Sequence, residues 1–280
     1  MNKKYKPIFF MFILGLVGAA AGYAVAKSSL IDAVLPAKEQ MSWMSIVYII
    51  LIFEGVVAIH ELGHLLTGLV QGFRFEMFVV GFLGIKRVGE KVKVYFNTDM
   101  NTFGGLAATA PHHDDPKVIS KMAKLVIAGP LASLVLLVVC IAGFFLTNQP
   151  TQFYLFIMGL MTLFIFLATT LPSKTGIFYT DRKRYQRLTK PGKSREVEVA
   201  LFRANTLFLT GKSIREMPES ELWTITEDES HIFQYTGFYY LRQYHQDNPE
   251  KHAEMNARLD EIEPHIPPSI VAMMKTETTD

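Results

Sequence analysis

Apolar positions in this chain gather into four long runs, approximately residues 8–26, 44–71, 123–147 and 152–172, whereas polar positions dominate after about residue 195. Each run reaches the roughly 17–25 residues that a helix needs to cross about 30 Å of hydrocarbon. The pattern predicts an all-α polytopic membrane protein with about four transmembrane helices. The first run follows the basic start "MNKKYK", and a secretory signal is built the same way, with AVA before Lys27 as a cleavage site. We read a retained helix, because this run exceeds a signal core and further spans follow it.

Between the second and third runs the pattern changes. Residues 73–111 cluster β-branched and aromatic residues, "KVKVYF" alternates polar with apolar, and glycine recurs at 81, 84, 89, 104 and 105. Short strands and turns produce that signature. It predicts a small membrane-associated β hairpin or sheet whose edge could take up an extended peptide. The third run opens with "AGPLASL" (128–134), small residues that allow close helix packing in lipid.

After Arg195 the stretches "REVEVALFRANTLFLTG", "ESHIFQYTGFYYLRQYH" and "PEKHAEMNARLDEIEPHI" read as helices of a soluble C-terminal domain, with Gly211, Pro249 and Pro267 where helices stop or start. Phe233, Tyr235, Phe238, Tyr239 and Tyr240 read as helix core. Three parts result: a first helix and outer loop (1–43), a membrane core including the β region (44–190), and a helical domain (195–280).

At 280 residues and 50% hydrophobic, the chain is long enough for that division. Charge then orients it. Between Lys174 and Arg195 stand eight Lys or Arg against one acid, Asp181, so this segment is placed in the cytoplasm, while "TNQPTQ" (147–152) carries no charge and belongs outside. Four crossings put both termini in the cytoplasm of a multi-pass cell-membrane protein. The basic run reads as contacting anionic lipid headgroups and "TEDES" as a solvated acidic loop; nucleic acid is not an expected partner. The single cysteine, Cys140, excludes a disulfide within the chain and reads as packing.

Chemistry enters where it is least expected. "EGVVAIHELGHLLTGLVQGF" (54–73) sets two histidines and two glutamates inside the second run. Titratable groups in a span are costly unless paired, coordinated or hydrated. On a helix His60 and His64 project from one face and can share a metal ion, with Glu61 on the same flank as the base for a zinc-bound water that attacks a peptide carbonyl. Two histidines leave a catalytic zinc site one protein ligand short. Asp181, on the same side of the membrane, is the candidate for that place, with a surface pairing to Arg182 or Arg184 as its alternative. His112 and His113 in "APHHDDP" are rivals. Glu54, deeper in the span, reads as pairing with a polar group or water.

These pieces together resemble the site-2 protease family, the intramembrane zinc metalloproteases: "HELGH" at 60–64, "FGGLAAT" at 103–109, "AGPLASL" at 128–134 and "LPSKTGIFYTD" at 171–181. The resemblance covers roughly residues 44–182. It implies that His60, His64 and Asp181 hold zinc, that Glu61 is the general base, and that substrates are membrane proteins or membrane-bound peptides. Thr169 and Thr170 stand where the family usually has Asn, and Arg182 where it has Gly. Lipid, a membrane-peptide substrate and a protein bound by the helical tail are therefore the expected partners. An inactive scaffold acting through that tail, and a small transporter, are the competing classes.

Overall fold

The computed structural model describes residues 23, 42–100, 102–111, 117–171, 174–175, 178–268, 271–272 and 274. Apart from Tyr23, the first helix expected over 8–26 lies outside them, as do Pro172 and the cluster His112, His113, Asp114 and Asp115. Among the described residues, three helices are long and apolar enough to cross a bilayer: α1 (Trp43–Val70), α2 (Val118–Leu146) and α3 (Thr151–Thr170). They match the second, third and fourth apolar runs. α1 stops where Gly72 turns into the left-handed region at φ +84°, letting the Phe73 amide donate back to the Gly68 carbonyl at 2.9 Å. Lys121 then ties that end to α2, its ammonium donating to the Gln71 carbonyl at 2.8 Å.

The chain between α1 and α2 forms a four-stranded antiparallel sheet of β1 (Arg74–Val80), β2 (Leu83–Val88), β3 (Lys91–Phe96) and β4 (Leu106–Ala110), in the order β3-β2-β1-β4. Gly81 and Gly89 sit in its two hairpin turns, as their spacing suggested. β4 forms one edge, paired with β1 in a register that sets Phe78 opposite Ala107. At the other edge Val92, Val94 and Phe96 are exposed, with Phe82 stacked on Phe96 at 5.1 Å.

Two compact units emerge, Met1–Phe53 with Leu136–Met161, and Glu54–Val135 with Thr162–Asp280. Inside the first, Tyr154 donates to Ser45 at 3.0 Å and buried Cys140 packs where Gly159 leaves room, in keeping with a packing role. Inside the second, the short strands β5 (Lys174–Thr175) and β6 (Phe178–Tyr179) lead into α4 (Asp181–Thr189). The C-terminal helices follow: α5 (Lys193–Leu209), α6 (Glu219–Thr226), α7 (His231–Tyr244) and α8 (Pro249–Ile262). α8 begins as its sequence implied, with Pro249 at the first turn and the Asn248 side chain accepting from the Lys251 amide at 3.2 Å. Leu222, Ile225, Leu241 and Met255 fill the core of this domain, and Phe233, Tyr235 and Tyr239 are buried within it. Phe238 and Tyr240 pack against its margin.

Two expectations for this region need correcting. Within the basic run, Arg184 and Arg187 are engaged by Glu198 and Asp228 instead of being left for lipid headgroups alone. Nor is "TEDES" wholly a solvated loop, because Asp228 is buried against Arg187. A buried charge persists only with a partner, and here each supplies the other.

Candidate metal centre

The histidines of "HELGH" lie one helical turn apart on α1 and point the same way, their ring centroids 5.0 Å apart. Both are buried. Room for them comes from α2, whose small residues let the two helices touch. A β-carbon at Gly63 would stand 2.6 Å from the Ala128 carbonyl and 2.8 Å from Ala132 Cβ. The small-residue stripe thus does pack closely, as the sequence suggested. At Gly129 the opposing surface is the His64 imidazole itself, which occupies the space a side chain would need.

α2 also orients both rings. The His64 Nδ1 lies 2.8 Å from the Leu125 carbonyl, and His60 Nδ1 lies 2.9 Å from the Ser133 hydroxyl. A carbonyl only accepts, so His64 carries its proton on Nδ1, and in the neutral ring Nε2 keeps a free lone pair. Pro130 lies within this stretch of α2, where it removes one backbone hydrogen bond from the helix ladder.

Both Nε2 atoms turn toward Asp181, the first residue of α4. Asp181 Oδ2 lies 3.3 Å from His60 Nε2 and 3.5 Å from His64 Nε2. These separations are long for charge-assisted hydrogen bonds, which close to about 2.7–2.9 Å. They match the edge of a zinc tetrahedron, since bonds of about 2.0–2.2 Å place neighbouring donors roughly 3.3–3.5 Å apart. Among the described residues, this is the one group of three His, Cys, Asp or Glu donors within 4.8 Å of one another. Two imidazoles, each held by an outer hydrogen bond, and a carboxylate form a donor set suited to zinc. The alternative pairing of Asp181 with Arg184 is not what the structure shows, because the Arg184 guanidinium donates to Glu198 at 2.6 Å.

Glu61 lies between α1 and the sheet. Gly105, at φ +104°, brings the chain so near that a β-carbon there would stand 2.9 Å from Glu61 Cγ and 2.7 Å from Val57 Cγ1. Just beyond it, the Ala107 backbone amide of β4 is hydrogen-bonded to the Glu61 carboxylate. Glu54 sits elsewhere, its carboxylate against Gly81 in the β1–β2 turn. Thr169 and Thr170, at the end of α3, spend their hydroxyls on carbonyls of their own helix.

Reasoning from the sequence missed Ser133, the Leu125 carbonyl and the steric part of Gly105 and Gly129. A hydroxyl among small residues, at a spacing that faces HELGH, was the available signal for Ser133.

A sequence model of the family described as peptidase family M50 matches residues 48–262. Over 114 residues the chain is 32% identical to a Clostridium acetobutylicum protein whose name makes it an inferred zinc metalloprotease. That stretch covers 37% of this chain and 33% of the relative, so the chain spans about a third of the length of the curated relative it matches. No solved structure gives a significant match.

Proposed function

The chain belongs to peptidase family M50, and from that premise we propose that it is an intramembrane zinc endopeptidase cutting a transmembrane or membrane-bound peptide. The convergence of His60 Nε2, His64 Nε2 and Asp181 Oδ2 beside Glu61 carries this reading. Zinc, when bound, polarises the scissile carbonyl and acidifies its water. Everything else falls to the chain. His60, His64 and Asp181 would hold the ion, while Ser133 and the Leu125 carbonyl fix the two rings. The Glu61 carboxylate accepts the proton from the attacking water and returns it to the leaving amine.

The substrate is an extended segment that adds at the β4 edge of the sheet and so lies alongside Glu61. The exposed apolar fringe at Phe82, Val92, Val94 and Phe96 suits a sheet lodged at the membrane boundary. The protein resides in the cell membrane with both termini in the cytoplasm, and acts in regulated intramembrane proteolysis or in maturation of a secreted peptide.

Purified full-length chain in detergent, supplied with zinc and a membrane peptide, tests the proposal. Glu61→Gln should keep its metal and lose cleavage by about 10²–10⁴-fold, the range general-base catalysis contributes. Cleavage at the wild-type rate by that variant would overturn the assignment. A wild-type chain that binds no zinc would favour an inactive scaffold instead.

A further inference from the structure

Asp181 opens a helix of nine residues, too short to persist without tertiary support. Part of that support is apolar: Leu188 is buried with Phe73, Met122 and Val126, and Tyr185 packs beside them. The rest is a cluster of charges, mostly removed from water. Glu198 of α5 takes Arg184 through Oε1 at 2.6 Å and Arg187 through Oε2 at 3.0 Å. Asp228, between α6 and α7, takes Arg187 through Oδ2 at 2.5 Å and the Ser230 amide through Oδ1 at 2.8 Å. The side chains of Arg187, Glu198 and Asp228 are only 2–3% exposed. Tyr179, two residues before Asp181, lies under the Arg187 guanidinium at 4.5 Å and donates to Asp228 at 3.4 Å.

Both sides of Asp181 are therefore fastened to the same carboxylate. Buried ion pairs add little stability over apolar packing, yet they tolerate only a narrow geometry, because a displaced charge is left unpaired. That trade suits a device for fixing position. We infer that Arg187 is a positioning residue for Asp181, and that through Asp228 and Glu198 the C-terminal helices set the affinity of the metal centre. The inference rests on the zinc reading above and extends it: the C-terminal domain becomes part of the machinery that completes the site.

Zinc affinity of the full chain, read by competition with a fluorescent chelator, tests the link. Arg187→Gln should weaken zinc binding about tenfold or more, the scale seen when groups supporting a metal ligand are removed, and Arg187→Lys should recover part of the loss. Thermal melting of the helical signal identifies variants that remain folded. A folded Arg187→Gln chain with wild-type zinc affinity overturns the inference. A second measurement needs no variant. Coupling between sites is reciprocal, so zinc added to the wild-type chain should slow amide hydrogen exchange over residues 225–235 as well as around α1 and α4. Protection confined to α1 and α4 would overturn it equally. A wild-type chain that binds no zinc removes the reading beneath; one that binds zinc without coupling removes this inference alone.

Discussion

Gly129 of α2 faces the His64 ring so closely that a β-carbon on it would stand 2.6 Å from Cε1 and nearer still to Nε2. Retreat of α2 would open the close packing of Ala128 and Ala132 on Gly63. Gly129→Ala should therefore turn the imidazole away and strip the purified chain of zinc, as measured by metal content, with its helical signal kept. Full metal occupancy in that variant would mean that the Nε2 face of His64 is not the ligating one.

Ser133→Ala removes the group that steadies His60 while adding no bulk. Zinc binding should fall by about ten- to a hundredfold, the usual cost of losing an outer-shell partner. Titration against a chelator reads the shift, and an unchanged affinity would show that packing alone orients the ring.

Gly105→Ala should separate catalysis from metal binding. A side chain at φ +104° is strained by roughly 1–3 kcal/mol and would press on Glu61, which is not among the three converging donors. Cleavage should drop at least about tenfold, in line with that strain, while zinc content stays at the wild-type level. Loss of both together would place Glu61 among the ligands.

In the C-terminal domain the Trp223 indole donates to Glu219 at 3.2 Å, and His245 lies 3.0 Å from the same oxygen. The Trp223 indole holds the Glu219 carboxylate below its ordinary range; partial burial works the other way, and His245 and Lys251 add to the downward pull. A depressed carboxylate stabilises the fold fully above the ordinary glutamate value of about 4.3 and ceases to do so as pH falls through the lowered one. Glu219→Gln should therefore melt lower than wild type at neutral pH and lose the difference in acid. Equal melting at pH 7 would sink the prediction.

How much of this was legible beforehand varies with the physics. The spans of α1, α2 and α3 could be read within a few residues, because a bilayer demands length and apolarity that few other structures need. His60 and His64 could be paired because helical spacing is local. Asp181 is 117 positions beyond His64, so spacing alone left its surface pairing open, and the fold brings it to the two rings. Ser133 was hidden by its neighbours: in "AGPLASL" a hydroxyl looks like one more small residue. The arginine cluster was misread for a different reason. Arg184 and Arg187 sit just past a span, where lipid headgroups are the usual partner, and only folding reveals that Glu198 and Asp228 reach them first.

The seam where Gly63 meets the Ala128 carbonyl admits no side chain, and so no polypeptide can thread between α1 and α2 at that level. In the proposed reading, a peptide reaching the histidine pair comes past the rim of β4. On that proposal the strand, more than any lipid-facing helix, would act as the turnstile for entering sequences, and exchanging its outer residues would redirect what the protein accepts.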